Sequence, residues 1–208
     1  MRLDSDGARE ALADAWERWA RRCATLTPQE WSTPTRCSGW DVAALLAHVC
    51  PDPAMFDRLS AAIVDVPAAV ADAAEMLRRF NEPDGVAHTS ADSLAEQAVV
   101  DAEALTSETA AARFTECAGI LRATSMSEET VIAYPTVGST TLAVIAETAL
   151  MEATVHLLDL ADAVGGVEPS AEALTATRDL LIAVPDATAA IEVLAGRRPA
   201  EDAVPAIR

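Results

Sequence analysis

Apolar residues recur along this chain mostly at three- and four-residue steps, which is the spacing of one face of an α-helix. The first such face is Ala8, Leu12, Ala15, Trp19 and Cys23, with Asp4 or Ser5 placed to cap it. Thr27-Pro28-Gln29-Glu30 has the form of a capping box with proline in the first turn, so a short helix follows directly. Ser38 and Asp41 stand where a cap is needed for an apolar helix, DVAALLAHVC, that carries His48 and ends at Pro51 and Pro53. Further helices are predicted at about 54–64, 67–80, 91–105, 108–123, 140–164, 171–184 and 187–194. Residues 81–89, with Pro83-Asp84-Gly85, read as a loop containing His88 as a solvated side chain, and 126–138 as a longer irregular connection.

The run 141–164, TLAVIAETALMEATVHLLDLADAV, breaks this apolar pattern with a polar stripe. At about 100° per residue, Glu152, His156 and Asp159 fall within roughly 60° of arc, while Leu142, Val144, Ile145, Leu150, Leu157 and Leu158 cover the rest. A helix of this kind is expected to be largely buried, and burying a carboxylate and an imidazole unpartnered costs several kcal/mol. They therefore need a metal, each other, or a hydrogen-bonding neighbour. His48, in its own apolar helix, supplies a second imidazole. Two histidines and a glutamate would leave an ion with an open position, as in a catalytic rather than a structural site.

These residues lie in two segments that resemble a known family. Residues 26–49, LTPQEWSTPTRCSGWDVAALLAHV, are similar to the N-terminal metal-binding segment of the mycothiol-dependent maleylpyruvate isomerase-like proteins in the DinB/YfiT-like superfamily. The matching features are Trp31, the turn Pro34-Thr35-Arg36-Cys37-Ser38-Gly39-Trp40, and His48 at the end of the following helix. The second segment pairs a Pro-and-Gly turn, Tyr134-Pro135 to Gly138, with EATVHLLDLA from Glu152. Two residues rather than one separate Pro135 from Gly138, a departure from the family's turn. The stop at Gly165-Gly166 and the stretch LAGRRPA at 194–200 also look like the family's.

The resemblance implies an all-α fold, a DinB/YfiT-like four-helix bundle with additional peripheral helices. The bundle is expected over 1–166, built from the first helix, the His48 helix, a middle helix and 140–164, with 167–208 a helical extension packed on the same domain. The resemblance also implies His48, Glu152 and His156 as ligands of a divalent metal, with zinc the expected ion, mycothiol or a similar small thiol as cosubstrate and an electrophilic small molecule as its target. The isomerases proper carry a further α/β domain that helps hold the thiol, and the residues after Gly166 are too few to form one, so an electrophile other than maleylpyruvate is expected. Asp159, one turn beyond His156, is the candidate to orient that imidazole, with an exposed helix-end acid as its plain alternative. Arg36 and Arg58 are candidates to hold an anionic cofactor or substrate. Trp31 and Trp40 are expected to wedge the turn, and substrate choice is expected to reside in 50–60 and 125–138.

Composition narrows the partners. The net charge of −18, with all 15 basic residues arginine and no lysine, argues against nucleic acid and against anionic membranes. It also fits a GC-rich genome of the actinobacterial kind. The first residues, MRLDSDGARE, have no apolar signal core, so the protein is expected in the cytoplasm. The only protein partner left open is a second copy, as a homodimer. Cys23, Cys37, Cys50 and Cys117 lack C-x-x-C spacing and read as free thiols, with packing favoured over chemistry for Cys37 and Cys50. Two readings compete with a thiol transferase or isomerase: a non-catalytic metal- or small-molecule-binding bundle, and a zinc-water hydrolase, which lacks a clearly placed general base unless Asp159 or Glu147 serves.

Overall fold

The computed structural model describes residues 5–205, so Asp4 as a cap lies outside the described residues. Helix α1 (Ser5–Cys23) buries the face predicted for it, from Ala8 and Leu12 through Trp19 to Cys23. Helix α2 (Pro28–Trp31) starts at the expected box: Thr27 Oγ1 accepts from the Glu30 amide at 3.2 Å, and Glu30 Oε2 accepts from the Thr27 amide at 2.8 Å. Helix α3 (Val42–Val49) is capped by Asp41, whose side chain accepts from the Ala44 amide at 2.9 Å, and it buries Val42 through Leu46.

Helices α4 (Ala54–Ala61) and α5 (Ala73–Phe80) are each shorter than the apolar pattern predicts. The missing residues form turns and two isolated bridges instead. Ile63 and Val70 form bridges to Ile132 and Thr140 on either side of a hairpin, and the Val70 amide donates to the Ser139 carbonyl at 3.1 Å. The hairpin replaces the irregular connection expected at 126–138: β1 (Val131–Tyr134) pairs antiparallel with β2 (Gly138–Thr141), Val131 opposite Thr141. Four-residue strands give too few alternations to stand out from a loop, although Val131, Ile132 and Tyr134 suit a strand.

Inside the predicted loop 81–89 there is a short helix, α6 (Val86–Thr89), on which His88 is exposed. A Cβ on Gly85 would come within 2.4 Å of the Phe80 carbonyl oxygen, so the close approach that starts α6 requires glycine. Helices α7 (Ala91–Ala102) and α8 (Ser107–Ala123) follow, the latter capped by Thr106. Helix α9 (Leu142–Val164) is capped by Thr141 and stopped at Gly165, whose φ of 61° suits glycine. Helices α10 (Ala171–Ala183) and α11 (Ala187–Leu194) and a 3₁₀ turn at Ala200–Asp202 complete the described chain.

The result is an all-α, DinB-like bundle with one small hairpin. Helix α1 lies against α8 and α9, and α3 against α9 and α7. The Trp19 and Phe114 rings stack at 5.5 Å with an 8° interplanar angle, and Trp19 Nε1 donates to the Ala153 carbonyl at 3.0 Å. One side chain thereby fixes α1 to both neighbours. Arg22, 7% exposed, donates to the carbonyls of Gly165 (2.8 Å) and Val164 (3.1 Å) and to the Glu30 carboxylate. A cation on the last carbonyls of α9 satisfies groups the helix leaves open and complements its dipole. A second apolar core lies between α5, the hairpin, α9 and α10, so α9 contributes to both cores. No described helix is long and apolar enough to cross a membrane.

Candidate metal centre

Two elements present the site. The turn before α3 is tight: Thr35 and Trp40 are joined by a 2.9 Å bond from the Thr35 amide to the Trp40 carbonyl, and Gly39 takes φ +82°, which disfavours any side chain there. This turn sets Arg36, Cys37 and Trp40 against α9. Helix α3 then ends with His48 on the side left over after Val42, Leu45 and Leu46 enter the core. On α9, Glu152 and His156 are one turn apart and Asp159 follows three residues later.

Glu152 Oε2 lies 3.4 Å from His156 Nε2 and 3.9 Å from His48 Nε2. One donor atom from each of these three residues fits within a 4.8 Å span. The imidazoles meet edge to face with ring centres 5.1 Å apart, and the Trp40 ring lies 4.9 Å from His48 and 6.2 Å from His156. His156 Nδ1 is 2.8 Å from Asp159 Oδ2, and Asp159 is only 5% exposed. Arg36 Nε donates to Asp159 Oδ1 at 2.6 Å and the Cys37 thiol to Oδ2 at 3.2 Å.

Electrostatics follow from this network. Burial alone would raise the Glu152 carboxyl, but hydrogen bonds and charge from His156 and His48 outweigh it and hold the group at about 2. Burial would lower His156, yet Asp159 and Glu152 as acceptors push it up to about 9. Asp159, also raised by burial, is brought down to about 2 by His156, Arg36 and Cys37. Cys37 is pushed up to about 11 by burial and by the Asp159 carboxylate, so it is a thiol that donates, not a ready nucleophile.

The residues present fit a divalent ion. A tetrahedral zinc with bonds near 2.0–2.1 Å needs ligand atoms about 3.3 Å apart, a contraction within the reach of side-chain rotation here. Asp159 accepts a hydrogen bond from His156 Nδ1–H and so aims Nε2 at Glu152 and His48, the usual way a ligand imidazole is oriented. A second trio, Cys37, His156 and Asp159, could also hold an ion, through the opposite face of the same imidazole. In it the carboxylate already accepts three hydrogen bonds, which leaves His48, Glu152 and His156 the better set. Trp40 Nε1 is buried and has no hydrogen-bond partner among the described residues.

The structure thus gathers His48, Glu152, His156, Asp159 and Arg36, and leaves Arg58 aside. Arg58 is 64% exposed and pairs with Asp52 at 3.0 Å. Arg36 has its Nε engaged by Asp159 rather than free for an anion, with its side chain half exposed. Burial differs from expectation: Asp159 is enclosed, but the Glu152 and His48 side chains are 46% and 30% exposed, at the solvent edge of the bundle. Cys37 and Trp40 join the site, although their sequence signal, an apolar residue in a turn, reads equally well as packing.

Fold and side chains together define a helical bundle with a two-histidine, one-carboxylate cluster opening to solvent. The family model for the mycothiol maleylpyruvate isomerase N-terminal domain matches residues 12–161, well over half of the chain and both segments that form the cluster. The chain belongs to that family. Searches of curated proteins and of solved structures give no match.

Proposed function

We propose that this protein is a metal-dependent enzyme that activates a low-molecular-weight thiol, mycothiol by the family's name, for addition to an electrophilic small molecule. The observation that carries the reading is the convergence of His48, Glu152 and His156 from α3 and α9 within 4.8 Å, with Asp159 fixing the imidazole of His156. A zinc ion in that position would lower the proton affinity of a bound thiol, making it a thiolate at neutral pH. Two neutral imidazoles and one carboxylate keep the set at a single negative charge, which leaves the ion the net positive charge this requires.

The chain's own groups supply the rest. Asp159 accepts from the His156 Nδ1–H, and Arg36 and Cys37 hold Asp159 in turn. Trp40 walls the imidazoles. Solvent exposure of Glu152 and His48 supports exchange of a small ligand at this edge. The cysteines are poor candidates for the nucleophile, since burial pushes Cys50 to about 11 and Cys23 and Cys117 to about 12.

The test is thiol consumption with mycothiol and a panel of Michael acceptors and epoxides, comparing metal-loaded with chelated protein. Consumption by the loaded form alone supports the proposal. Equal consumption by both forms contradicts it, and none by either across the panel favours a metal-binding bundle without catalysis.

A further inference from the structure

Beside the cluster lies a second hollow with a different character. It is a cleft of about 90 Å³ enclosed by α1, α4, α8 and the first turns of α9, several times the roughly 10–15 Å³ that one water requires. Its walls are almost wholly apolar, with Trp16, Phe56 and Ile145 among them, so water in it has few partners and an apolar group gains about 25 cal/mol per Å² of surface buried. At one end Arg9 Nε lies 3.5 Å from Glu128 Oε1, and Glu128 is 7% exposed. The guanidinium and the carboxylate offset each other there, so an anionic ligand would give up its hydration to walls that are otherwise apolar.

The cleft and the cluster share the wall formed by α9. Ile145 and Ala149 line the cleft, and with Glu152 and His156 they follow each other at three- and four-residue steps along one face of α9. Ala149 stands three residues from Glu152, about 4.5 Å along the axis. On the other side the chain leaves His48 at the end of α3, passes Pro51 and Pro53, and enters the cleft wall with Met55 and Phe56 of α4. Met126 and Glu128 bring in the segment before the hairpin.

We propose that this cleft binds a neutral aryl or alkyl group of the electrophile and so sets its reactive carbon at the cluster. The substrate class is then a neutral apolar electrophile, not a dicarboxylate. For the reactive end this rests on the function proposed above; binding of the apolar group does not.

Two readouts separate these. In the first, toluene and benzoate are titrated into metal-free and metal-loaded protein while the methionine methyl resonances are followed by NMR. Saturable shifts of Met55 and Met126, with Met76 and Met151 unmoved, are expected for toluene in both forms, with benzoate at least tenfold weaker. Absence of saturable shifts, or equal binding of benzoate, overturns the proposal. Ala149→Phe should abolish the shifts, and Leu59→Phe, on α4, serves if that variant does not fold; shifts unchanged in a folded filled variant also overturn it. In the second, kcat/KM is measured for N-alkylmaleimides from methyl to butyl with the metal-loaded enzyme and mycothiol. A rise of up to about fourfold per methylene until the cleft is full is expected, and a flat series overturns the link to the cluster. Toluene binding without any thiol consumption sinks the functional reading and leaves the apolar site standing.

Discussion

Asp159 carries more of the site than its place at the end of a polar stripe suggests. Its two carboxylate oxygens accept from His156, Arg36 and Cys37, tying the 34–40 turn to α9 and setting one imidazole's tautomer. Replacing it with asparagine keeps the shape but removes the charge that favours the Nδ1 proton. Asp159→Asn should weaken zinc binding by about 10–100-fold while the fold persists, measured by competition with a chromogenic chelator; unchanged affinity would reduce Asp159 to a packing role. At this scale His48, Glu152 and His156 were legible because an isolated imidazole or carboxylate on an apolar helix demands a partner. Cys37 and Trp40 were not, because nothing in a turn's spacing says which way its side chains face. Arg58 misled: an arginine near a loop reads as an anion holder until the Asp52 beside it is seen in space.

Among the elements, those with an explicit start signal were the easiest to place. The Thr27 box and the Asp41 cap on α3 sit at the predicted positions, and the long apolar periods of α1 and α9 leave little choice. The hairpin is hidden by strands of only four residues, and the segments at 62–70 take their order from pairing with residues about 70 positions away, such as Val70 with Thr140. Glu30 joins a capping box to the Arg22 tie that closes α9, and this makes a pH prediction. The Thr27 amide, the Arg22 guanidinium and the Thr27 hydroxyl hold Glu30 down at about 2, below the usual value of about 4.3. A depressed carboxyl contributes stability that is fully present above its unfolded pKa and is lost as pH falls through the folded one. The wild-type protein should therefore lose this share of stability between about pH 5 and pH 2. Denaturant melts of Glu30→Gln should show a lower midpoint at pH 7 and a shallower acid dependence; an identical acid limb in both proteins would refute the role.

For the whole molecule, α9 is the common member: it lines both cores, holds Glu152, His156 and Asp159, and receives Arg22 at its end. Trp19 anchors it from α1 through a buried ring and one hydrogen bond. Trp19→Ala should cost about 3–5 kcal/mol, readable in chemical denaturation, and loss of under 1 kcal/mol would show that α1 and α9 are held by other contacts. The family resemblance carried the all-α bundle, and the match over residues 12–161 agrees with it. Met55, Phe56 and Leu59 from 50–60 and Met126 and Glu128 from 125–138 line the apolar cleft, whose shape was not legible because it exists only once α1, α4, α8 and α9 have met.

The central claim is that one divalent ion is held jointly by α3 and α9. Its most direct test is equilibrium dialysis against zinc, with elemental analysis, of the wild-type protein, His48→Ala and His156→Ala. About one equivalent in the wild type and little in either variant, with all three folded, is the predicted result. Equal zinc in all three proteins, or none in any, would contradict it.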